Sequence, residues 1–319
     1  MSARRLGFAV KVLGEGGLPS HDTRRWQSGP HLSVSLERLE AILSYLERTG
    51  IGMYRMATAL APYASHPDLP QFHHQVEECA EELAAAGARA RELDIRLSTH
   101  PGQYTVLNSE DPGVRDLAVA ELEVQAALFD AMGLPSEAVV VLHVGGAAGG
   151  TEAASERFLA GFELLSERAR ARLVIENDDR SFDLADVLAI SRRTGLRIVW
   201  DVLHHRCLDR QGIGDREALE LALATWPAGQ TPKIHYSSPR LDVTEEKRRN
   251  GRRVERRLVL PQLRSHADLV DPVGFELFRR ATEGTRPFDV MLEAKAKDLA
   301  LLRLREQLAA RGVGPTAAG

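Results

Sequence analysis

Histidine and carboxylate side chains recur in this chain where short apolar segments end. The residues concerned are His100, His143, Glu176, Asp201, His204, His235 and Glu293. Imidazoles and carboxylates without thiolates are typical of sites for Mn²⁺, Zn²⁺ or Fe²⁺, and more than four such residues indicate more than one ion. Closely spaced ions activate water and stabilise charge on the attacking and leaving oxygens of a phosphoryl displacement. Hydrolysis of a phosphodiester is therefore the predicted reaction class.

Eight apolar segments, six of which end at or beside these residues, predict eight βα units, because each is followed by a longer segment with helical periodicity. The predicted strands span residues 4–10, 52–57, 95–100, 138–144, 172–177, 197–201, 232–236 and 289–293. Eight units without a dividing linker favour an α/β fold, a single (β/α)8 TIM barrel, whose strands end at one shared mouth. We expect the barrel over residues 1–300, and a C-terminal helix and flexible tail over 301–319. An open doubly wound sheet is the alternative, but no GxGxxG motif follows the first strand.

Two intervening helices carry recognisable end signals. Residues 33–50 begin with serines that can cap a helix and end at Gly50, and residues 75–92 follow a similar pattern. Four histidines in predicted loops or helix starts are expected to be solvated, and His205 is expected to support the site from a loop. The four are His21, His31, His73 and His74.

Composition narrows the class of protein. The chain has 319 residues, of which 44% are hydrophobic, and its net charge is -4. The protein as a whole therefore lacks the positive field that would indicate nucleic-acid binding. Cys79 and Cys207 cannot form a disulfide framework, which fits a reducing cytoplasm. The N-terminus does not resemble a signal peptide and no run of about 18 apolar residues occurs, so neither secretion nor membrane spanning is expected.

Several motifs resemble those of the UV damage endonucleases. They are ASHP (64–67), LSTHPGQYTVLN (97–108), VLHVGG (141–146), IENDD, DVLHH, PKIHYSSP, SHAD and MLEAKAKD, and the similarity runs from residue 5 to about residue 298. The resemblance implies a manganese-dependent barrel that nicks double-stranded DNA immediately 5′ of cyclobutane pyrimidine dimers and 6-4 photoproducts. The products would be a 3′-hydroxyl and a 5′-phosphate.

The resemblance also implies roles for individual residues. Those that match the family's ligands for up to three Mn²⁺ ions, with Zn²⁺ as the alternative metal, are His100, His143, Glu176, Asp201, His204, His235, His266 and Glu293. Glu176 is expected to bridge ions, and His66 matches a further active-site histidine. Lys233 matches a lysine that the family carries in carboxylated form. Lys233 shares a strand face with His235, so nearby cations would depress its pKa and leave a neutral amine able to take up CO₂.

The HPGQY motif predicts the part that reads damage. Gln103 and Tyr104 follow His100 on a loop made sharp by Pro101 and Gly102. The resemblance implies that these two side chains fill the gap opposite the lesion, as wedge residues do in kinked duplexes. Where the family usually has tyrosine in the first strand this chain has Phe8, which would keep a stacking ring but lacks the hydroxyl.

Residues 240–264 form a basic segment. They contain nine Lys or Arg and four Asp or Glu, a net charge of +5, which leaves -9 for the rest of the chain. We predict a hairpin that follows DNA phosphates, and a solvated surface loop is the alternative. The arginines expected to contact DNA are Arg248, Arg249, Arg252 and Arg253.

Three other functions remain open from the sequence. An abasic-site endonuclease and a sugar isomerase would place similar residues at barrel strand ends. An isomerase would need neither the loop that carries Gln103 and Tyr104 nor the basic segment. A non-catalytic damage-binding module would not need so many metal ligands. We expect a monomer that acts in the cytoplasm, in association with the nucleoid.

Overall fold

A computed structural model of the protein describes residues 5–250 and 253–313, without the side chains of residues 247–250 and 253. The predicted DNA contact Arg252 therefore lies outside the described residues, as do the side chains of Arg248, Arg249 and Arg253. The strands are β1 (Leu6–Ala9), β2 (Met53–Arg55), β3 (Arg96–Ser98), β4 (Val140–His143), β5 (Leu173–Glu176), β6 (Arg197–Val199), β7 (Lys233–Tyr236), β8 (Thr244–Asn250), β9 (Arg253–Val259) and β10 (Asp289–Leu292).

Helices separate most of these strands. They are α1 (Leu32–Thr49), α2 (Gln75–Glu78), α3 (Ala80–Glu92), α4 (Pro112–Ala131), α5 (Thr151–Phe162), α6 (Glu167–Arg172), α7 (Leu184–Thr194), α8 (Val202–Cys207), α9 (Asp215–Ala224), α10 (Pro272–Ala281) and α11 (Lys297–Ala310). Short 3-10 helices lie at Trp26–Ser28, Thr58–Leu60 and Pro70–Phe72. No helix in the described ranges is long and apolar enough to cross a membrane.

Eight parallel strands close into a barrel. Five pair in the order β3-β2-β1-β10-β7 and three in the order β4-β5-β6. Single parallel bridges, Thr99–Val140 and Asp201–His235, join the two groups. The backbone N–H of His235 donates to the carbonyl of Trp200 at 3.0 Å across one of these seams. The predicted (β/α)8 barrel is confirmed, and the open doubly wound alternative is wrong because both edges of the sheet are joined.

Alternation along each strand sorts side chains between the barrel interior and the helix layer. Val139, Val141, Val174 and Val199 pack with Trp226 inside the barrel. The strand residues between them pack in the larger core against the helices. This alternation puts a strand's last inward residue at the mouth, since the interior is filled by side chains in layers.

The ends of the first helices differ in part from expectation. The N-cap of α1 is His31, whose ring accepts a hydrogen bond from the backbone N–H of Ser33, so neither predicted serine caps the helix and His31 is not merely solvated. Gly50 ends α1 in the left-handed conformation with φ 60°, as predicted. The predicted helix over residues 75–92 is interrupted at Cys79, where φ -106° and ψ 25° leave helical geometry.

The C-terminal helix α11 packs against the barrel through Leu301, Leu304 and Leu308. The guanidinium of Arg305 also donates to the carbonyl of Thr49 at 3.0 Å. The predicted boundary at residue 300 falls inside this helix, which follows β10 as the last helix of the barrel. The end of the expected flexible tail, residues 314–319, lies outside the described residues.

Candidate metal centre

Strand alternation brings the predicted ligands together at the mouth. Glu176 lies two residues after the inward Val174, and His143 two residues after the inward Val141. Asp201 stands in the same relation to Val199. These three side chains must therefore point into the barrel, where the strand ends converge.

Glu176 lies at the centre of the cluster and is fully buried. Its Oε2 is 2.8 Å from Nε2 of His100 and 3.7 Å from Nε2 of His143. Its Oε1 is 2.9 Å from Nδ1 of His235 and 3.6 Å from Nδ1 of His204. Burial alone would raise the pKa of Glu176, but the imidazoles of His235 and His143 outweigh it and hold that pKa well below its usual value.

Glu293 forms the second carboxylate position. Its Oε1 is 3.3 Å from Nδ1 of His235, and its Oε2 is 3.7 Å from Nδ1 of His266. Nδ1 of His266 also lies 2.7 Å from the backbone carbonyl of Glu293, which fixes this imidazole beside the strand end. Burial opposes ionisation of Glu293, but Arg55 and His235 outweigh that effect and lower its pKa well below the usual value.

Asp201 and His204 form the third part of the cluster. Asp201 Oδ1 accepts the backbone N–H of His204 at 2.7 Å and so caps α8. Burial raises the pKa of Asp201. Burial also opposes protonation of His204, but the carboxylates of Asp201, Glu176 and Glu293 outweigh it and raise the pKa of His204 to about 9. Burial has the opposite outcome at His100, whose pKa it lowers to about 4.

Several buried polar atoms of this cluster lack a hydrogen-bond partner in the described part of the chain. They are Oδ2 of Asp201, Nε2 of His235, Nδ1 of His143 and Nζ of Lys233. Such atoms are costly to bury unless something binds them. Ligand atoms of Glu176, Asp201, His235 and Glu293 lie within 4.8 Å of one another, as do those of His100, His143 and Glu176. The donor set therefore fits divalent cations, with Glu176 common to both groups.

Lys233 is fully buried two residues before His235 on β7. Burial, reinforced by the guanidinium groups of Arg96 and Arg55, lowers the pKa of Lys233 well below its ordinary value. Metal cations, the cause predicted from the sequence, are not needed for this lowering of the pKa. Burial and arginines are sufficient causes, and they favour the neutral amine at this position.

Arg55 belongs to the cluster although the sequence analysis missed it. It ends β2, and its guanidinium forms an ion pair with Oε1 of Glu293. Both side chains are largely buried. Arginine is not a metal ligand, so a search for ligand types could not find it. The signal was its position, since it lies two residues after Met53 on β2 and has the same inward parity as the predicted ligands.

Two predicted site residues lie outside the cluster. His66 is exposed, and its Nδ1 accepts the backbone N–H of Asp68 at 3.2 Å. Phe8 is 0% exposed and packs edge-on against Tyr54 at 5.4 Å between ring centroids. The predicted stacking of Phe8 on DNA is therefore wrong for this conformation, because its parity on β1 turns the ring toward the helices.

His205 is buried beside the site, as a supporting residue would be. Its Nε2 is 2.8 Å from the backbone carbonyl of Ile213, and its ring packs edge-on against Trp200. These contacts hold the loop that follows α8.

The wedge loop, residues 101–108, follows β3 and separates two cavities. Tyr104 is 83% exposed and lines a cavity of about 460 Å³ with His66. Gln103 lines another of about 530 Å³ with His143 and His204. The loop is therefore placed between the cluster and solvent with its aromatic ring free.

Asn108 ties the wedge loop to the turn after β4. Its side-chain amide donates to the carbonyl of Gly146 at 2.7 Å. A Cβ at Gly145, where φ is +115°, would lie 2.3 Å from Oδ1 of Asn108. Gly145, the first of the two glycines of the VLHVGG motif, thus allows the close approach that sets the loop beside His143.

Comparison with known proteins shows similarity over most of the chain. Residues 32–317 match the family described as UV-endonuclease UvdE. The chain belongs to the UvdE family. A UV DNA damage endonuclease of Bacillus velezensis is 32% identical over 99% of this chain and 97% of that relative. The crystal structure of SacUVDE has a TM-score of 0.78 and 29% identity, and the match covers 97% of this chain and 99% of that one.

Sugar epimerases share the fold with this UvdE family member. The structure of L-ribulose 3-epimerase matches with a TM-score of 0.55 and 16% identity, over 91% of this chain and 81% of that chain. At this identity the likeness concerns the barrel alone.

We predict that Arg55→Met destabilises the metal-free protein by on the order of 3 kcal/mol at pH 7, because it leaves a buried carboxylate without its guanidinium. Glu293 has a depressed pKa in the folded state, so its ionisation stabilises the fold above its unfolded pKa of about 4.3, and this stability is lost as the pH falls. The difference between variant and wild type should therefore shrink below about pH 4. Urea unfolding across pH 4–7 measures it.

Arg48→Met is the matched control, since Arg48 pairs with Glu15 where both side chains are about half exposed. It should change stability by less than about 1 kcal/mol. Equal effects of the two substitutions would contradict a positioning role for Arg55.

Proposed function

We propose that this protein is a metal-dependent DNA repair endonuclease that nicks the backbone immediately 5′ of UV photoproducts, with cyclobutane pyrimidine dimers and 6-4 photoproducts as substrates. Water adds to phosphorus and the bond to the 3′ oxygen breaks, which leaves a 3′-hydroxyl and a 5′-phosphate. The observation that carries the proposal is the buried cluster of imidazoles and carboxylates with unpartnered donor atoms, in a chain of the UvdE family.

The metal is proposed to be Mn²⁺, in up to three positions, with Zn²⁺ as the alternative. The proposed ligands are His100, His143, Glu176, Asp201, His204, His235, His266 and Glu293. A divalent cation bound there supplies Lewis-acid chemistry, since it acidifies water and stabilises charge on phosphoryl oxygens.

The chain's own residues would fix the geometry of this site. Glu176 directs its two carboxylate oxygens toward different imidazoles, His100 and His235, which suits a bridging ligand. Arg55 holds one oxygen of Glu293 and leaves the other toward His266. Lys233, with its depressed pKa and no hydrogen-bond partner within the described residues, is proposed to be carboxylated.

Damage recognition is proposed to depend on how easily the DNA at the lesion is deformed. A pyrimidine dimer is poorly stacked, so extruding it requires less energy than extruding normal bases. Tyr104, with its exposed ring, and Gln103, which lines the cavity beside His143, are placed to enter the space vacated in the duplex. The exposed His66 lines the cavity beneath Tyr104, so its proposed role is at the DNA rather than at the ions.

The alternatives find less support. An abasic-site endonuclease remains the nearest rival, because abasic DNA is also easily deformed. A sugar isomerase would not need an exposed aromatic at the mouth or the basic hairpin of β8 and β9. The proposed working state is a monomer in the cytoplasm, associated with the nucleoid when it acts on double-stranded DNA.

We predict that Glu176→Gln and removal of metal by chelation each reduce nicking of a duplex with a single thymine dimer by more than about 100-fold, because each removes charge that the reaction needs. Gel analysis of end-labelled strands measures the rate and the position of the nick. Glu283→Gln is the control, since Glu283 is exposed in the turn between α10 and β10. Rapid nicking by Glu176→Gln or by chelated protein would disprove the metal-centre proposal.

A second prediction concerns the wedge loop. The double substitution Gln103→Ala, Tyr104→Ala should weaken binding to the dimer-containing duplex by roughly 5- to 150-fold, because base–aromatic contact contributes about 1–3 kcal/mol. Binding to the undamaged duplex should change little, since that duplex offers no vacated stack. Fluorescence anisotropy measures both affinities. Equal losses on the two duplexes would show that the loop is a general backbone contact.

A further inference from the structure

A two-stranded antiparallel ribbon lies within residues 240–264, and it leaves the barrel beside the candidate metal centre. Its strands, β8 and β9, pair from Thr244 with Val259 to Asn250 with Arg253. Seven residues in each strand span roughly 23 Å at about 3.3 Å per residue. The side chains of residues 254–258 are all exposed, so both faces of β9 are open to solvent. The predicted hairpin is thus present.

Charge is unevenly distributed along the ribbon. We define the ribbon tip as residues 246–257 and the ribbon root as residues 240–245 with 258–264. The tip contains seven Lys or Arg and two Asp or Glu, a net charge of +5. The root contains two of each and is neutral. The net positive charge of the segment therefore belongs to the end of the ribbon where Asn250 pairs with Arg253, opposite the root.

The root is instead an exposed aliphatic surface. The four most exposed aliphatic side chains of the described residues all belong to it: Leu260 at 76%, Leu258 at 72%, Leu241 at 70% and Leu263 at 64%. Val243 is exposed as well. Singly exposed leucines need no explanation, but a cluster beside a functional site indicates an interaction surface.

Several contacts fix the root at the mouth. The backbone N–H of Arg240 donates to the carbonyl of Ser265 at 2.6 Å, and Pro239 pairs with His266. The guanidinium of Arg264 is 3.5 Å from Oδ2 of Asp179, a residue that lines the same cavity as Gln103. The aliphatic surface therefore lies at the entrance to the site, and the last residue of the root, Arg264, precedes the proposed ligand His266 by two positions.

We propose that the ribbon root is a contact surface for unstacked bases of damaged DNA, while the ribbon tip contacts the phosphates of the flanking duplex. This inference rests on the proposed function. Base faces are the large apolar surface of DNA, and they become accessible where a lesion disrupts stacking. Aliphatic side chains near the cleavage site match that surface, and the basic tip, farther along the duplex, matches its phosphates.

A second copy of this chain is the alternative binding partner of the ribbon root. A symmetric dimer through the root would bring two neutral roots together but also place two tips of net charge +5 in the same assembly. Repulsion between the tips disfavours that arrangement, whereas a polyanion is attracted by them. Charge complementarity thus favours DNA.

The test is the double substitution Leu258→Ser, Leu260→Ser, with the pair Leu241→Ser, Leu263→Ser as an independent version. Binding is measured by fluorescence anisotropy on a thymine-dimer duplex and on the matched undamaged duplex, over a series of salt concentrations. Both duplexes carry a methylphosphonate at the linkage 5′ of the dimer position, which prevents cleavage. Thermal unfolding checks that the exposed substitutions leave the fold intact.

Each pair should weaken binding to the damaged duplex by roughly 10- to 100-fold, with the undamaged duplex changed by less than about 3-fold. The slope of log affinity against log salt should not change, because no charge is removed. By contrast, Arg256→Gln with Arg257→Gln in the tip should flatten that slope by roughly 2 and weaken both duplexes alike. The control Leu164→Ser, an exposed leucine in the turn between α5 and α6, should leave both affinities unchanged.

Three results would overturn the inference. The first is that both double-serine variants bind the damaged duplex with the affinity of the wild type. The second is that each variant loses the same affinity for the damaged and the undamaged duplex. The third is that the wild-type protein sediments as a dimer and the double-serine variants sediment as monomers. That result would assign the ribbon root to contact with a second copy of the chain. Failure of the wild-type protein to nick an ordinary dimer-containing duplex would reject the proposed function itself, which is a separate measurement.

Discussion

Glu176, Asp201 and Glu293 are buried together at the mouth of the barrel, and carboxylates held this close repel one another unless positive charge lies among them. Five imidazoles and the guanidinium of Arg55 lie among these carboxylates. The imidazoles belong to His100, His143, His204, His235 and His266. The requirement is still unmet at Oδ2 of Asp201, which has no partner among the described residues. The arrangement therefore suits the divalent cations proposed for it.

The barrel makes this concentration of charge possible. Strand alternation directs His143, Glu176 and Asp201 inward, and the valines two residues before them fill the interior, so these side chains rest on an apolar layer. The price of the arrangement is desolvation, seen in the depressed pKa of Lys233 and the pKa of about 4 at His100. A site of this kind contributes little to stability and is retained for what it binds.

The elements around the mouth differ in surface chemistry, in a way that suits the proposed recognition of damaged DNA. Tyr104 offers an aromatic ring on a short loop that Asn108 anchors, and the ribbon adds a neutral aliphatic root and a basic tip. Each of these elements suits a different part of a damaged duplex: the vacated stack, the unstacked bases and the intact backbone. The sugar epimerases share the barrel alone, so these additions rather than the fold carry the proposed specificity.

Much of this could be predicted from the sequence because strands and ligands share one pattern. Six of the eight apolar runs end at or next to a ligand-type residue, and parallel strands end at one mouth, so His143, Glu176 and His235 could be placed together. Phe8 was misplaced because its family motif was considered without its strand parity, which turns it to the helices. Arg55 was missed because only ligand types were sought. The exposure of Leu258 was not predictable, since a leucine in a strand is usually buried.

The most direct test is anomalous diffraction from crystals of the protein grown with Mn²⁺. The account predicts more than one manganese peak inside the cluster, each about 2.0–2.3 Å from its ligand atoms, with Glu176 shared between two of them and Oδ2 of Asp201 bound. Crystals grown with Mn²⁺ that show no peak at these residues would contradict the proposed metal cluster. A single ion bound only at the exposed His66 would contradict it as well.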